Sequence, residues 1–219
     1  MNREKIRAHI NEIGIIAGVR VSDTAQALFA AESIYEAGIP IVEITMTVPG
    51  AIDLISRLTK RYSDFIVGAG TVLTEETTQR CVDAGASFVT SPGLIPAVLE
   101  FTLKSEMVAI PGALTPSEVI AAWKAGADFV KIFPCSTVGG AAYVRSLKVP
   151  LPQIPLIASG GVNQLTARDF LFAGASALGI RSELTPRDAL QTRQKQWIHE
   201  LARRFTEIVR EARAQMGAI

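Results

Sequence analysis

The chain has 219 residues, 48% of them hydrophobic, and a formal charge of +1. That length allows one large domain with a substantial core, and so even a charge gives nucleic acid or an acidic membrane surface no foothold. Cys81 and Cys135 form no ligand-spaced set and suit a reducing compartment, and the apolar run Ile13–Val19 is too short to span a bilayer. A soluble, cytoplasmic protein is expected.

Short apolar runs alternate with amphipathic stretches along the whole chain. Strands are predicted near 15–20, 40–46, 65–70, 87–91, 107–111, 128–133, 155–159 and 176–181. Helices are predicted at 23–37, 50–61, 75–84, 94–104, 116–125, 140–147 and 163–173, with a long one at 186–214 and an extra one at about 2–11. Asp23, Thr74, Thr115 before Pro116, and Asn163 read as helix starts. Basic residues gather in the last helix but alternate with glutamates, as on a solvated face.

Four Ala-Gly pairs, with glycines at 38, 85, 126 and 174, each close a helix just before a strand. Their spacings of 47, 41 and 48 residues each match about two strand-helix units. Eight such units predict an α/β protein, a (β/α)8 TIM barrel with one additional N-terminal helix, forming a single domain over 1–219. Gly68-Ala-Gly70 lacks the third glycine of a dinucleotide fingerprint.

In such barrels the active site lies at the C-terminal strand ends, so polar residues there are the candidates. Lys131 sits in Asp128-Phe-Val-Lys-Ile-Phe-Pro134 and shares a strand face with Phe129 and Phe133. It either snorkels to solvent or is a desolvated catalytic amine, and the local pattern favours the amine. Glu43 shares a face with Thr45 and Thr47; alone it reads equally as a structural salt bridge, but facing Lys131 it becomes a natural proton carrier.

Arg20 ends the first strand, as a carboxylate clamp or a strand-end salt bridge. Thr71 follows Gly68-Ala-Gly70, where small residues admit a ligand or simply make a tight turn. Ser159-Gly160-Gly161 and Arg181-Ser182 follow the last two strands, a frequent position for a barrel's phosphate site. Neither His9 nor His199 falls near a strand end, which removes a Ser-His-Asp reading and a histidine-based metal cluster.

Together these pieces resemble a known family. Val42-Glu-Ile-Thr-Met-Thr-Val-Pro49, Gly68-Ala-Gly-Thr-Val72, Phe88-Val-Thr-Ser-Pro92, Ile110-Pro-Gly-Ala-Leu-Thr-Pro116, Val130-Lys-Ile-Phe-Pro134 and Ser159-Gly-Gly-Val162, in this order, are similar to the aldolases of 2-keto-3-deoxy-6-phosphogluconate (KDPG) and 4-hydroxy-2-oxoglutarate (KHG). The resemblance covers nearly the full chain. It implies a class I aldolase on a (β/α)8 barrel, needing no metal or cofactor and forming a homotrimer. Its partners would be small molecules, pyruvate and a phosphorylated aldehyde.

By that resemblance Lys131 forms the imine and Glu43 is the general acid/base. Thr71 helps hold the pyruvate carboxylate, Pro92 counts among the substrate-binding residues, and Ser159, Gly160, Gly161 and Ser182 hold the phosphate. Three places depart from the family pattern, one of them Cys135-Ser-Thr137, which replaces the small-plus-acidic residues of some members. Thr47 stands where many members carry an arginine on the pyruvate carboxylate, a task Arg20 is placed to assume. Arg181 stands where many carry glycine, and would strengthen phosphate binding or block it. The expected reaction is cleavage of KDPG to pyruvate and glyceraldehyde 3-phosphate through a lysine Schiff base. The alternatives are KHG or a galactonate-type analogue as substrate, or a barrel that binds a sugar phosphate without catalysis.

Overall fold

Every predicted strand forms, because each apolar run is bounded by turn residues and buried on both faces. The computed structural model of the chain describes residues 1–217. Its strands are β1 (Ile15–Val19), β2 (Ile41–Thr45), β3 (Ile66–Gly70), β4 (Phe88–Thr90), β5 (Val108–Ile110), β6 (Gly112–Ala113), β7 (Val130–Ile132), β8 (Leu156–Ser159) and β9 (Ala175–Ile180). Helices α1 (Arg3–Ile13), α2 (Thr24–Glu36), α3 (Ala51–Arg61), α4 (Glu75–Asp83), α5 (Pro96–Lys104), α6 (Pro116–Lys124), α7 (Ala141–Lys148), α8 (Ala167–Phe172), α9 (Arg187–Gln191) and α10 (Lys195–Met216) run between or beyond them. None of these helices is long and apolar enough to cross a membrane.

The strands pair in parallel in the order β5-β4-β3-β2-β1-β9-β8-β7-β6. β5 and β6 lie at opposite ends of that ladder, yet only Pro111 separates them in the chain. They are two halves of one barrel stave, split because proline has no N–H to donate to the ladder. Asp128 donates its N–H to the Ala109 carbonyl (3.0 Å) and Lys131 to the Pro111 carbonyl (2.9 Å) along the seam. The sheet thereby closes into an eight-stave barrel.

Alternation along each strand divides the core in two. Ile16, Ile41, Ile66, Phe88, Ile110 and Phe129 fill the interior toward one end, where Ile6 and Ile10 of α1 plug the barrel. Outward residues such as Val42, Val67, Val130 and Ile132 pack beneath the helix shell. The glycines at 38, 85, 126 and 174 all have φ between +85° and +97°, the left-handed helix stop that the repeat predicted.

The plug is tied by Asp128, whose carboxylate accepts from Arg3 Nε (3.0 Å) and from the buried Ala109 N–H (2.8 Å). Asp128→Ala leaves that N–H buried and unpaired, an expected loss of ~1–3 kcal/mol in denaturant unfolding. Arg3→Ala, which removes only the partly exposed partner, is expected to cost ~1 kcal/mol or less.

Two helix expectations are corrected. The long helix over 186–214 is two, α9 and α10, broken at 192–194, where Arg193 takes φ +50° and the Gln194 N–H turns back to the Ala189 carbonyl. Asn163 does not cap α8; its Oδ1 accepts from the N–H groups of Leu165 and Thr166 in a turn, and the helix begins at Ala167. A short 3-10 turn, Cys135–Val138, was also not anticipated.

Candidate active site

The C-terminal ends of the strands gather the polar residues at the mouth opposite the α1 plug. Lys131 (5% exposed) comes from β7 and Glu43 (4% exposed) from β2, both on the interior face. Lys131 Nζ lies 3.2 Å from Glu43 Oε2 and 3.4 Å from Thr90 Oγ1, and Thr90 donates to Glu43 Oε2 at 2.8 Å. Three staves that are distant in sequence thus converge on one carboxylate. Its other oxygen, Oε1, is buried without a hydrogen-bond partner and has the Arg181 guanidinium 4.0 Å away.

Glycines make this packing possible. A Cβ on Gly70 would stand 2.4 Å from Glu43 Oε1, one on Gly68 would meet the Phe88 ring at 2.3 Å, and one on Gly18 would stand 2.7 Å from Arg181 Cγ. The small residues of Gly68-Ala-Gly70 therefore admit the protein's own side chains. Gly70→Ala is expected to displace the carboxylate, and a misplacement on the ångström scale costs turnover up to ~10²-fold. Steady-state kinetics beside a melting curve checks that the loss exceeds any change in stability.

Burial pushes the Lys131 ammonium below the ordinary lysine range, and the nearby Arg181 and Arg20 charges add to this against the opposing pull of Glu43. Burial alone would push Glu43 up. The Lys131 and Arg181 charges, with hydrogen bonds from Thr90 and Lys131, outweigh it and hold the carboxyl below its usual range. The site thus pairs an amine biased toward its neutral, nucleophilic form with a carboxylate beside it. Because only the neutral amine attacks carbonyls, adduct formation with an oxo acid is expected to rise with pH, with its midpoint below the ~10.4 of a free lysine. Adduct formation followed across pH 6–10 checks this. Cys135 has no such bias, since burial pushes its thiol up to about 11.

Arg20, Gly160, Gly161, Arg181 and Ser182 line an adjoining cavity of about 770 Å³. Arg181 spans cavity and Lys131–Glu43 pair. Ser159 is buried at the end of β8, under Gly179, where a Cβ would meet its Oγ at 2.9 Å. The remaining candidates stand elsewhere on the mouth. Thr47 is exposed and bonds Thr45 Oγ1 (2.8 Å), and Pro92 is exposed at the rim with its backbone against Gly112. Thr71 takes φ +60°, rare for a β-branched residue and a local strain of the kind found at ligand sites.

One member of the site, Thr90, was not singled out from sequence, and a second, Phe133, was placed only as a face neighbour of Lys131. Thr90 shares the inward parity of Phe88, the signal that could have found it. Phe133 lies with its ring centroid 5.7 Å from Lys131 Nζ and 5.1 Å from the Arg181 guanidinium carbon, a shared surface for both cations. Among the described residues no three His, Cys, Asp or Glu side chains gather as a metal site.

The family model for KDPG and KHG aldolase matches residues 6–201. The chain belongs to this family of carbon–carbon lyases. Among its relatives, the KHG/KDPG aldolase of Escherichia coli K12 is 31% identical over 194 residues, covering 88% of this chain and 91% of that protein. A probable 2-dehydro-3-deoxy-6-phosphogalactonate aldolase of Rhizobium meliloti is 32% identical over 174 residues, covering 78% and 80%. The crystal structure of the KDPG aldolase of Legionella pneumophila, with pyruvate captured as a covalent carbinolamine intermediate, superposes with a TM-score of 0.83. It is 29% identical, and the match covers 90% of this chain and 95% of that one.

Proposed function

We propose that this aldolase cleaves KDPG to pyruvate and glyceraldehyde 3-phosphate through a Schiff base on Lys131. The observation that carries the proposal is the buried Lys131–Glu43–Thr90 cluster at the catalytic end of the barrel. The covalent pyruvate adduct of the Legionella relative supports it.

Lys131 passes its ammonium proton to the Glu43 carboxylate 3.2 Å away and, now neutral, attacks the C2 ketone. Glu43 returns that proton as the carbinolamine loses water to the iminium. Glu43, now a carboxylate, takes the proton of the C4 hydroxyl through a bound water. The C3–C4 bond breaks, and its electron pair passes to the iminium nitrogen as the enamine forms. Glyceraldehyde 3-phosphate leaves, C3 is reprotonated, and water releases pyruvate and the free lysine. Thr90 holds the carboxylate throughout by its hydrogen bond to Oε2. Ser159, Gly160, Gly161 and Ser182 are assigned to the phosphate, and Arg20, Thr47, Thr71 and Pro92 to the rest of the substrate. No cofactor enters the reaction, and the enzyme acts as a homotrimer, which light scattering of the purified protein tests.

Names among the relatives keep a second substrate in view, since they cover KHG and a galactonate epimer. Pyruvate release from KDPG, its galactonate epimer and unphosphorylated KHG compares the three. The expected order of kcat/KM places KDPG first. A preference for KHG would overturn the phosphate assignment, and release from none of them would overturn the proposal.

A further inference from the structure

We infer that Arg181 anchors the carboxylate of the oxo acid on which Lys131 acts, and so selects 2-oxo acids over neutral ketones. This rests on the aldolase reading above.

The side chain is turned inward. Its aliphatic stem lies across Gly18, where a Cβ would stand 2.7 Å from Arg181 Cγ, so the chain crosses the mouth. The guanidinium packs 5.1 Å over Phe133, the ring that also flanks Lys131 Nζ at 5.7 Å. Arg181 and Lys131 also approach opposite oxygens of one carboxylate. Lys131 lies 3.2 Å from Glu43 Oε2, and Arg181 stands 4.0 Å from Oε1, beyond hydrogen-bond reach. The arginine side chain is only 20% exposed, and burial pushes its pKa below the ordinary value. A desolvated guanidinium with its acid out of reach is an incomplete ion pair.

The chemistry says which anion completes it. In a 2-oxo acid the carboxylate is bonded directly to the carbon that the lysine attacks. That group must therefore sit beside Lys131, in the inner layer where Arg181 lies. A phosphate at the far end of a six-carbon acid falls toward the rim, where the Gly160-Gly161 backbone and Ser182 line the outer cavity. The planar fork of arginine matches a carboxylate in two-point contact.

The test runs the reaction in the synthetic direction, from pyruvate and glyceraldehyde 3-phosphate, with Arg181→Gln and Arg181→Lys. Half-saturation by pyruvate, read both as KM and as borohydride-trapped adduct, is expected to rise ~10–10²-fold in Arg181→Gln, as loss of a charge-assisted pair implies. The KM for the phosphorylated aldehyde is expected to change less than about threefold. Arg181→Lys keeps charge without the fork and is expected to fall between, which preserves the test if the glutamine variant does not fold. A rise in the aldehyde KM with pyruvate unchanged would overturn the inference, as would no change in either or a proportional change in both. Failure of the unsubstituted protein to trap pyruvate would instead bring down the aldolase reading, and the inference with it.

Discussion

Lys131→Met is expected to reduce aldol cleavage to background while the barrel stays folded. Methionine matches the length and apolar stem of lysine but has no amine, so neither carbinolamine nor imine can form. The substitution also removes a desolvated cation from a site where burial already works against it. Glu43 then keeps only the Thr90 hydrogen bond, with Arg181 at 4.0 Å. Losing one member of a buried pair costs up to ~3–5 kcal/mol when the other remains charged. Here the carboxyl escapes much of that cost by taking up a proton, since burial raises its pKa once the lysine charge is gone. Circular dichroism and a denaturant melt are expected to show a folded protein of altered stability, alongside kinetics that show no turnover. Residual cleavage above ~1% would place the nucleophile elsewhere.

Glu43→Gln is expected to lower kcat by ~10²–10⁴-fold with a much smaller change in KM. The amide is close in shape to the carboxylate and can still accept from Thr90, but it carries no transferable proton. Loss of the negative neighbour also removes the interaction that opposes burial at Lys131, so the amine pKa moves further down. The amine therefore stays nucleophilic, and the variant is expected still to form the pyruvate adduct while turning over only at the lowered kcat. That separates the proton carrier from the nucleophile. Wild-type turnover in Glu43→Gln would remove Glu43 from the mechanism.

The pair also links pH to stability with a defined sign. Glu43 has a lowered pKa in the folded state, so its contribution is present above the unfolded carboxyl value and is lost as pH falls through the folded one. Lys131 has a lowered pKa as well, so the unfolded chain holds that proton more tightly. Stability therefore rises as pH increases from the folded pKa toward ~10.4, the free lysine value.

Sequence carried the fold further than it carried the site. Strands such as Val130–Ile132 and Ile41–Thr45 are fully buried, so hydrophobic runs and helix-ending glycines were sufficient signals. Lys131 and Glu43 stood out as charges on inward faces of those runs. Thr90 did not, because a threonine in a β-branched strand is ordinary until closure of the barrel sets it against Glu43. Arg181 read as a rim residue near a phosphate site, since nothing local to Ile180-Arg181-Ser182 shows that Gly18, on the neighbouring strand, leaves room for it to turn inward. The break between α9 and α10 was invisible for a related reason. Thr192-Arg193-Gln194 contains neither glycine nor proline, so no local stop signal marks it.

The central claim is that Lys131 forms an imine with the pyruvate half of the substrate. Incubation with pyruvate, borohydride reduction, intact-protein mass measurement and peptide mapping test it most directly. The account predicts a mass gain of one reduced pyruvate, located on Lys131. A folded protein that gains no mass, or carries the adduct on another lysine, would contradict it.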